Sequence, residues 1–282
     1  YINEVFDDMS FFGKILGKSQ DSHLPIEEVS VDLENLPNEW GSFSTLIDDR
    51  MASIRLNLAL NSIAPYPSYT YALRLRIAIL KVDPETGFPD YDEFSNLNLI
   101  EDRISEAMKR IAAIYVGVVI TDGHIEFYYY LKDRERHMPI IAQVMEQFSK
   151  YQYSSATLVD PEWKQYFDFL YPNEYEYQSI LNQRIWYRLD KEGDDHSQLR
   201  EITHKFSFET YDDRVSFMGD ASALDYDISS RKKEEGDPRP YKLEISRFDT
   251  TELPSINQHV WELIEISKKY NGKYSGWSCN VV

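Results

Sequence analysis

The dipeptide Asp122-Gly123 stands between two runs rich in β-branched and aromatic residues, Ala113–Thr121 and His124–Leu131. Asp-Gly readily supplies the two positive-φ residues of a type I′ turn, whose twist matches that of paired strands, so this stretch predicts a β-hairpin. Its neighbours narrow the fold further. Within Thr70–Val82, Tyr71, Leu73, Leu75, Ile77 and Ile79 fall on one side and Thr70, Ala72, Arg74, Arg76 and Ala78 on the other. That is the period of a strand with one buried face. Helices are predicted from about Tyr91 to Ile111 and over Met138–Tyr151, and a last strand at Gln152–Val159. The order from Thr70 is therefore β-α-β-β-α-β, the split unit of ferredoxin-like folds. An earlier hairpin, Gly41–Ile47 and Ala52–Leu60 turning at Asp48-Asp49, extends that sheet.

The same order returns in the second half. Asp160-Pro161-Glu162 has the residues of a helix start. Two helices rich in Tyr, Trp and Phe are predicted, Pro161–Tyr171 and Asn173–Asp190. A strand at Glu201–Phe208, a helix at Asp212–Leu224 and strands at Asp225–Ser230 and Tyr241–Phe248 follow. In the closing stretch Ile256, Val260, Leu263 and Ile264 share one helical face, Asn271-Gly272 ends the helix, and a strand carries Tyr274 and Trp277. The expected fold class is α+β: two ferredoxin-like modules, the first extended by a hairpin, joined by an aromatic-rich helical segment. The expected divisions are 1–39 (an amphipathic helix with Val5, Phe6, Met9 and Phe12, then a linker), 40–160, 161–194 and 195–282.

Composition limits the function. The longest apolar runs, such as Ala112–Ile120, reach about half of the ~18 residues a membrane span needs. One cysteine, Cys279, excludes an internal disulfide framework and a cysteine-built zinc site, so a reducing cytoplasm is expected. The formal charge is −18. From Asp195 onward 12 basic and 16 acidic residues leave −4, so residues 1–194 carry −14. Such a surface repels nucleic-acid phosphates and favours basic partners; the plainer reading is that it keeps the chain soluble.

Several motifs carry a resemblance. The stretches THKFSF, the helix start Asp212-Asp213 and LIEISKKYNGKYSGWS resemble the bacterial regulator of ribonuclease E activity B, over roughly Arg200 to Val282. IRLNLAL, Gly87-Phe88-Pro89 and VGVVITDGHIEFYYY, within Trp40–Lys132, resemble the bacterial domain-of-unknown-function 695 family, found fused ahead of such a module. The first resemblance implies a ferredoxin-like C-terminal fold and a non-catalytic role in binding and inhibiting a ribonuclease. The final residues, SCNVV, depart from the acid-ended strand of that family.

No catalytic motif stands out. The six histidines lie outside HExxH and other metal-ligand spacings, so no metal and no cofactor are expected. Asp194-Asp195-His196 is a local cluster of possible ligands, read here as solvated charge, and Cys279 as a structural thiol. One constellation goes further. Strand alternation places Arg74 and Arg76 beside His124, Glu126, Tyr128 and Tyr130, joined by Arg55 if the first hairpin pairs alongside. Arginines among tyrosines suit phosphate, carboxylate or stacked bases. The competing expectation is that the aromatic helices after Asp160 cover this face, with Glu126 pairing an arginine. Tyr274 and Trp277 are expected to pack and fix strand register, with a partner contact as the alternative. The expected function is binding and restraining a partner protein, a ribonuclease, through an acidic surface; RNA or a phospholigand on the arginine face, or an enzyme without a signature, are the alternatives.

Overall fold

The computed structural model describes residues 36–282. The helix and most of the linker expected ahead of Trp40 lie outside the described residues. The rest is mixed α+β, with two separate antiparallel sheets and several helices.

The first sheet contains β1 (Trp40–Ile47), β2 (Arg50–Asn57), β3 (Tyr71–Ala78), β4 (Ile114–Thr121), β5 (His124–Leu131) and β6 (Tyr153–Val159). They lie in the order β1-β2-β4-β5-β3-β6. Both tight hairpins turn as the sequence dictates, with positive φ at Asp122 and Gly123 and at Asp48 and Asp49. The second strand stops at Asn57, short of the expected Leu60. The Asn57 side chain instead accepts from the N–H groups of Ala59 (3.2 Å) and Glu39 (3.0 Å), and Leu58–Ser62 winds into a 3₁₀ turn.

Helices α1 (Tyr91–Met108) and α2 (His137–Met145) cover one face of this sheet. Asp90 caps α1 by accepting from Glu93 N–H at 2.8 Å. Leu97, Ile100 and Ile104 of α1 meet Leu73, Leu75, Ile77, Phe127 and Tyr129 in a fully buried core. The other face is also covered. After Asp160 the chain crosses it with Trp163 and a π-helical turn, Gln165–Leu170, which pack on Ile54, Leu56, Ala72, Val116, Tyr128 and Tyr130.

The second sheet is β10-β7-β9-β8, built from β7 (Arg200–Phe208), β8 (Asp227–Lys233), β9 (Tyr241–Asp249) and β10 (Lys273–Cys279). Helices α4 (Tyr211–Ala223) and α5 (Leu253–Lys268) pack on the face carrying Ile202, His204, Phe206 and Phe208. Asn271 takes the left-handed conformation (φ 50°) that ends α5, as its Asn-Gly signal requires.

Helix α3 (Glu174–Lys191) links the sheets. It opens on a capping box between Asn173 and Glu176. Near its middle Ile180 lies against β1 at Gly41, where an added Cβ would sit 2.9 Å from Ile180 Cγ2. Farther on, Leu189 enters the core of the second sheet. The same helix thus buries Ile180 against the first sheet and Leu189 against the second.

Candidate functional site

Register sets the geometry of the arginine–tyrosine face. In the β3–β5 ladder Arg74 stands opposite Tyr128 and Arg76 opposite Glu126. Glu126 is 6% exposed and lies 3.3 Å from Arg76 Nε and 3.8 Å from Arg74. It also accepts from the Tyr128 hydroxyl at 2.7 Å. Tyr130 donates to Asp160 at 2.6 Å and stacks on Trp163, with centroids 3.9 Å apart and planes 6° apart. Burial, reinforced by these carboxylates, raises both tyrosine pKa values far above the ordinary value, so the hydroxyls stay protonated and donate. At the end of the face Arg76 approaches His124 Nδ1 at 3.1 Å.

Tyr128 and Tyr130 are 3% and 1% exposed, so neither offers a ring to a stacked base. The face is covered by the aromatic segment, while the Arg74 and Arg76 side chains stay 21% and 30% exposed. Arg55 corrects the expected grouping. It pairs with Val118, on the helix-covered face, and not with Arg74 and Arg76. There it grips both oxygens of Glu101 at 2.6 Å, with its guanidinium 5.3 Å from the Trp40 ring centroid. Tyr115 adds a hydrogen bond to the same carboxylate at 3.1 Å. The arrangement is a two-pronged ion pair between a part-exposed Arg55 on β2 and a nearly buried Glu101 on α1, which commits the Arg55 charge to the fold.

In the second module Thr203, Lys205 and Ser207 face Ser246, Glu244 and Lys242 across the β7–β9 ladder. This is the sheet face opposite α4 and α5, and Phe248 on it is 69% exposed. Tyr274 and Trp277 point the other way. Tyr274 lies 3.0 Å from His204 Nδ1, and Trp277 is 5% exposed with its indole N–H on Asn182 at 3.1 Å. Both therefore hold the fold. Burial, assisted by Arg247 and His259, lowers the His204 pKa to about 3, so the ring is neutral.

Local sequence hid one more cluster. The Asp194 side chain is buried and binds Arg200, the Thr251 hydroxyl (3.2 Å) and the Val282 N–H (3.0 Å). Burial acts to raise its pKa, but these donors outweigh it and lower the pKa. His196 stacks on Trp186 at 4.4 Å and shares a hydrogen bond with Thr251 at 2.9 Å. The Asp-Asp-His loop thus clamps the segment that follows β10, at Val282. Among the described residues no group of three or more His, Cys, Asp and Glu side chains is placed to hold a metal ion. Cys279 is half-buried, and burial raises its thiol pKa. An open groove of about 760 Å³ between α3 and α5 is lined by Tyr175, Asn257, Gln258 and Trp261, without a cysteine, histidine or lysine.

Residues 38–171 match the model of a family of unknown function, DUF695, and residues 179–279 match that of the regulator of ribonuclease activity B. The two family models match separate parts of the chain. The DUF695 match takes in the first sheet and its aromatic cover. The regulator match begins inside α3, ahead of Asn182 and Leu189, the residues that α3 gives to the second module. No curated protein matches the chain. Among solved structures, an unknown protein from Galdieria sulphuraria is 8% identical, with 76% of this chain and 98% of that one covered and a TM-score of 0.21. Another, described as a glycine cleavage system transcriptional repressor, is 8% identical over 75% and 98%, with a TM-score of 0.20. At those scores neither likeness bears on fold or function. No helix among the described residues is long and apolar enough to cross a membrane.

Proposed function

We propose that the chain is a non-catalytic regulator that binds a ribonuclease in the cytoplasm and restrains it. The observation that carries this reading is the match of residues 179–279 to the regulator of ribonuclease activity B. Both modules are read as ferredoxin-like, in domains 40–160 and 195–282 joined by 161–194. The strand orders β6-β3-β5-β4 and β10-β7-β9-β8 support this, each being fourth-first-third-second within its unit. The partner contact is assigned to exposed carboxylates of the regulator module. Asp212, Asp225 and Asp227 are exposed and enter no ion pair among the described residues. They suit a basic segment of the partner, with attraction that weakens as salt rises.

The test is affinity purification of the full chain from its native host, followed by ribonuclease assays with the purified pair. The expected result is recovery of a ribonuclease, slowed by the chain. An Asp212→Lys, Asp225→Lys, Asp227→Lys variant is expected to lose both effects. Recovery of no ribonuclease, together with unchanged activity in vitro, ends this reading.

A further inference from the structure

On a chain of net −18, positive charge collects where α1 ends and where β5 leads into α2. Arg110 stands in the 3₁₀ turn Lys109–Ile111 that follows α1. Lys132, Arg134 and Arg136 stand in the loop between β5 and α2. All four are exposed, and none enters an ion pair among the described residues. Lys109, beside them, pairs with Glu106 at 2.6 Å. A cation at the end of a helix suits the helix dipole, which accounts for Arg110. The same dipole disfavours Arg136, which is the N-cap residue of α2 and precedes a first turn without an acid.

Three of these cations meet in one place. Arg110, Lys132 and Arg136 line a pocket of about 190 Å³ together with Asp133, Ile111 and Leu131. Two of the three are positioned by uncharged groups. Arg110 Nη1 donates to the Gln143 side-chain oxygen at 3.2 Å, and the Lys132 ammonium lies 5.1 Å from the Tyr69 ring centroid. Such partners hold a side chain without cancelling its charge. Asp133 is the one carboxylate of the lining, and its Oδ1 accepts from the Glu135 N–H at 2.8–3.0 Å range of an ordinary bond, 2.9 Å. Three cations against one carboxylate leave a surplus of two positive charges in the pocket.

We propose that this pocket binds the phosphate monoester group of a small soluble molecule. Volume and charge select the ligand. About 190 Å³ is below the ~300–1,000 Å³ of sites that enclose a whole ligand, so the pocket takes one group and leaves the rest outside. A phosphate monoester carries about −1.5 to −2 at pH 7, which matches the surplus of two. A carboxylate or a phosphodiester carries about half of that charge. Arginine adds paired N–H donors whose spacing fits phosphate oxygens. A nucleic acid fits less well, because its further phosphates meet the field of a chain of net −18. The pocket is separate from the carboxylates assigned to the ribonuclease contact, so either assignment can fail without the other.

The experiment titrates the full chain, residues 1–35 included, with glycerol 3-phosphate by calorimetry and follows the amide resonances of Ala112, Lys132 and Asp133. The monoester is expected to bind and to shift those resonances. Dimethyl phosphate, a diester, is expected to bind at least about tenfold more weakly. Arg136→Glu and Lys132→Glu each reverse one exposed charge of the pocket and are expected to weaken binding at least about tenfold. Arg103→Glu reverses an exposed charge of α1 outside the lining and is expected to leave affinity unchanged. No binding of the monoester, equal affinity for the diester, or an equal loss in Arg103→Glu overturns the proposal. So does a single-stranded RNA without a terminal phosphate that binds more tightly and shifts the same amides, which gives the corner to a nucleic acid. Should a reversed variant fail to fold, the resonances and the diester comparison in the unmodified chain still decide.

Discussion

The Trp277 indole N–H donates to the Asn182 side-chain oxygen at 3.1 Å, tying β10 to the helix that also packs on the other sheet. Asn182 is 1% exposed; its oxygen also accepts from Gln178 at 3.0 Å, and its nitrogen donates to Asn257 at 2.9 Å. One amide therefore joins α3, α5 and β10. The tryptophan in the stretch that resembles the ribonuclease regulator is a fastening for the connector, and its buried ring is not available to a partner.

Asn182→Leu is expected to destabilise the chain by about 2 kcal/mol, because Trp277 and Asn257 each lose a buried partner. Urea denaturation followed by tryptophan fluorescence measures it. An unchanged midpoint would place the junction's stability in the apolar contacts of Ile185 and Leu189 instead.

The stack of Trp163 on Tyr130 holds the aromatic cover in place. Trp163→Ala is expected to cost about 3–5 kcal/mol, the range for emptying a large buried aromatic site. Tyr130→Phe keeps the stack and removes one donor from the buried Asp160, which still accepts from Lys164 and Gln165 N–H. Its expected cost is smaller, about 1–2 kcal/mol. Thermal melts of both variants separate packing from hydrogen bonding.

Arg55 shows where sequence reading stops. Alternation in β2 correctly groups Ile54 with Leu56 and sets Arg55 apart from them. A period of two does not say which face of the sheet each set takes when both faces are buried. Here Ile54 and Leu56 turn to the aromatic cover, leaving Arg55 on the side of α1. Tyr71, Leu73, Leu75 and Ile77 were legible because β3 is paired on both sides and the Asp122-Gly123 turn fixes its neighbour β5. The aromatic cover was legible from its run of Tyr, Trp and Phe. The Asp194 clamp was not, because Thr251 and Val282 reach it from distant parts of the chain.

If Arg55 serves the fold and not a ligand, Arg55→Ala should lower stability and leave every binding measurement unchanged. The side chain is 42% exposed, which limits the loss to about 1–2 kcal/mol despite the buried Glu101. Arg55→Lys should recover little, since an ammonium cannot make the two-pronged grip on Glu101. Full recovery by lysine would reduce the interaction to simple charge.

The neutral His204 gives the second module a pH dependence whose sign is fixed by its surroundings. Burial, then the electrostatic effect of Arg247 and His259, lowers its pKa from 6.5 to about 3. The unfolded chain therefore binds a proton below the ordinary histidine value that the folded chain refuses until near the lower one. Stability is fully present above the unfolded value and falls with acid through the interval between the two. From pH 7 to pH 5, above the carboxylate range, the expected loss from this residue is about 2 kcal/mol. His137, whose pKa burial also lowers, adds to the loss with the same sign. His204→Asn keeps a polar atom toward Tyr274 but cannot titrate, so its denaturation midpoints at the two pH values should lie closer together than those of the natural chain. Equal spacing in both proteins would mean that His204 accepts its proton without unfolding the module around it.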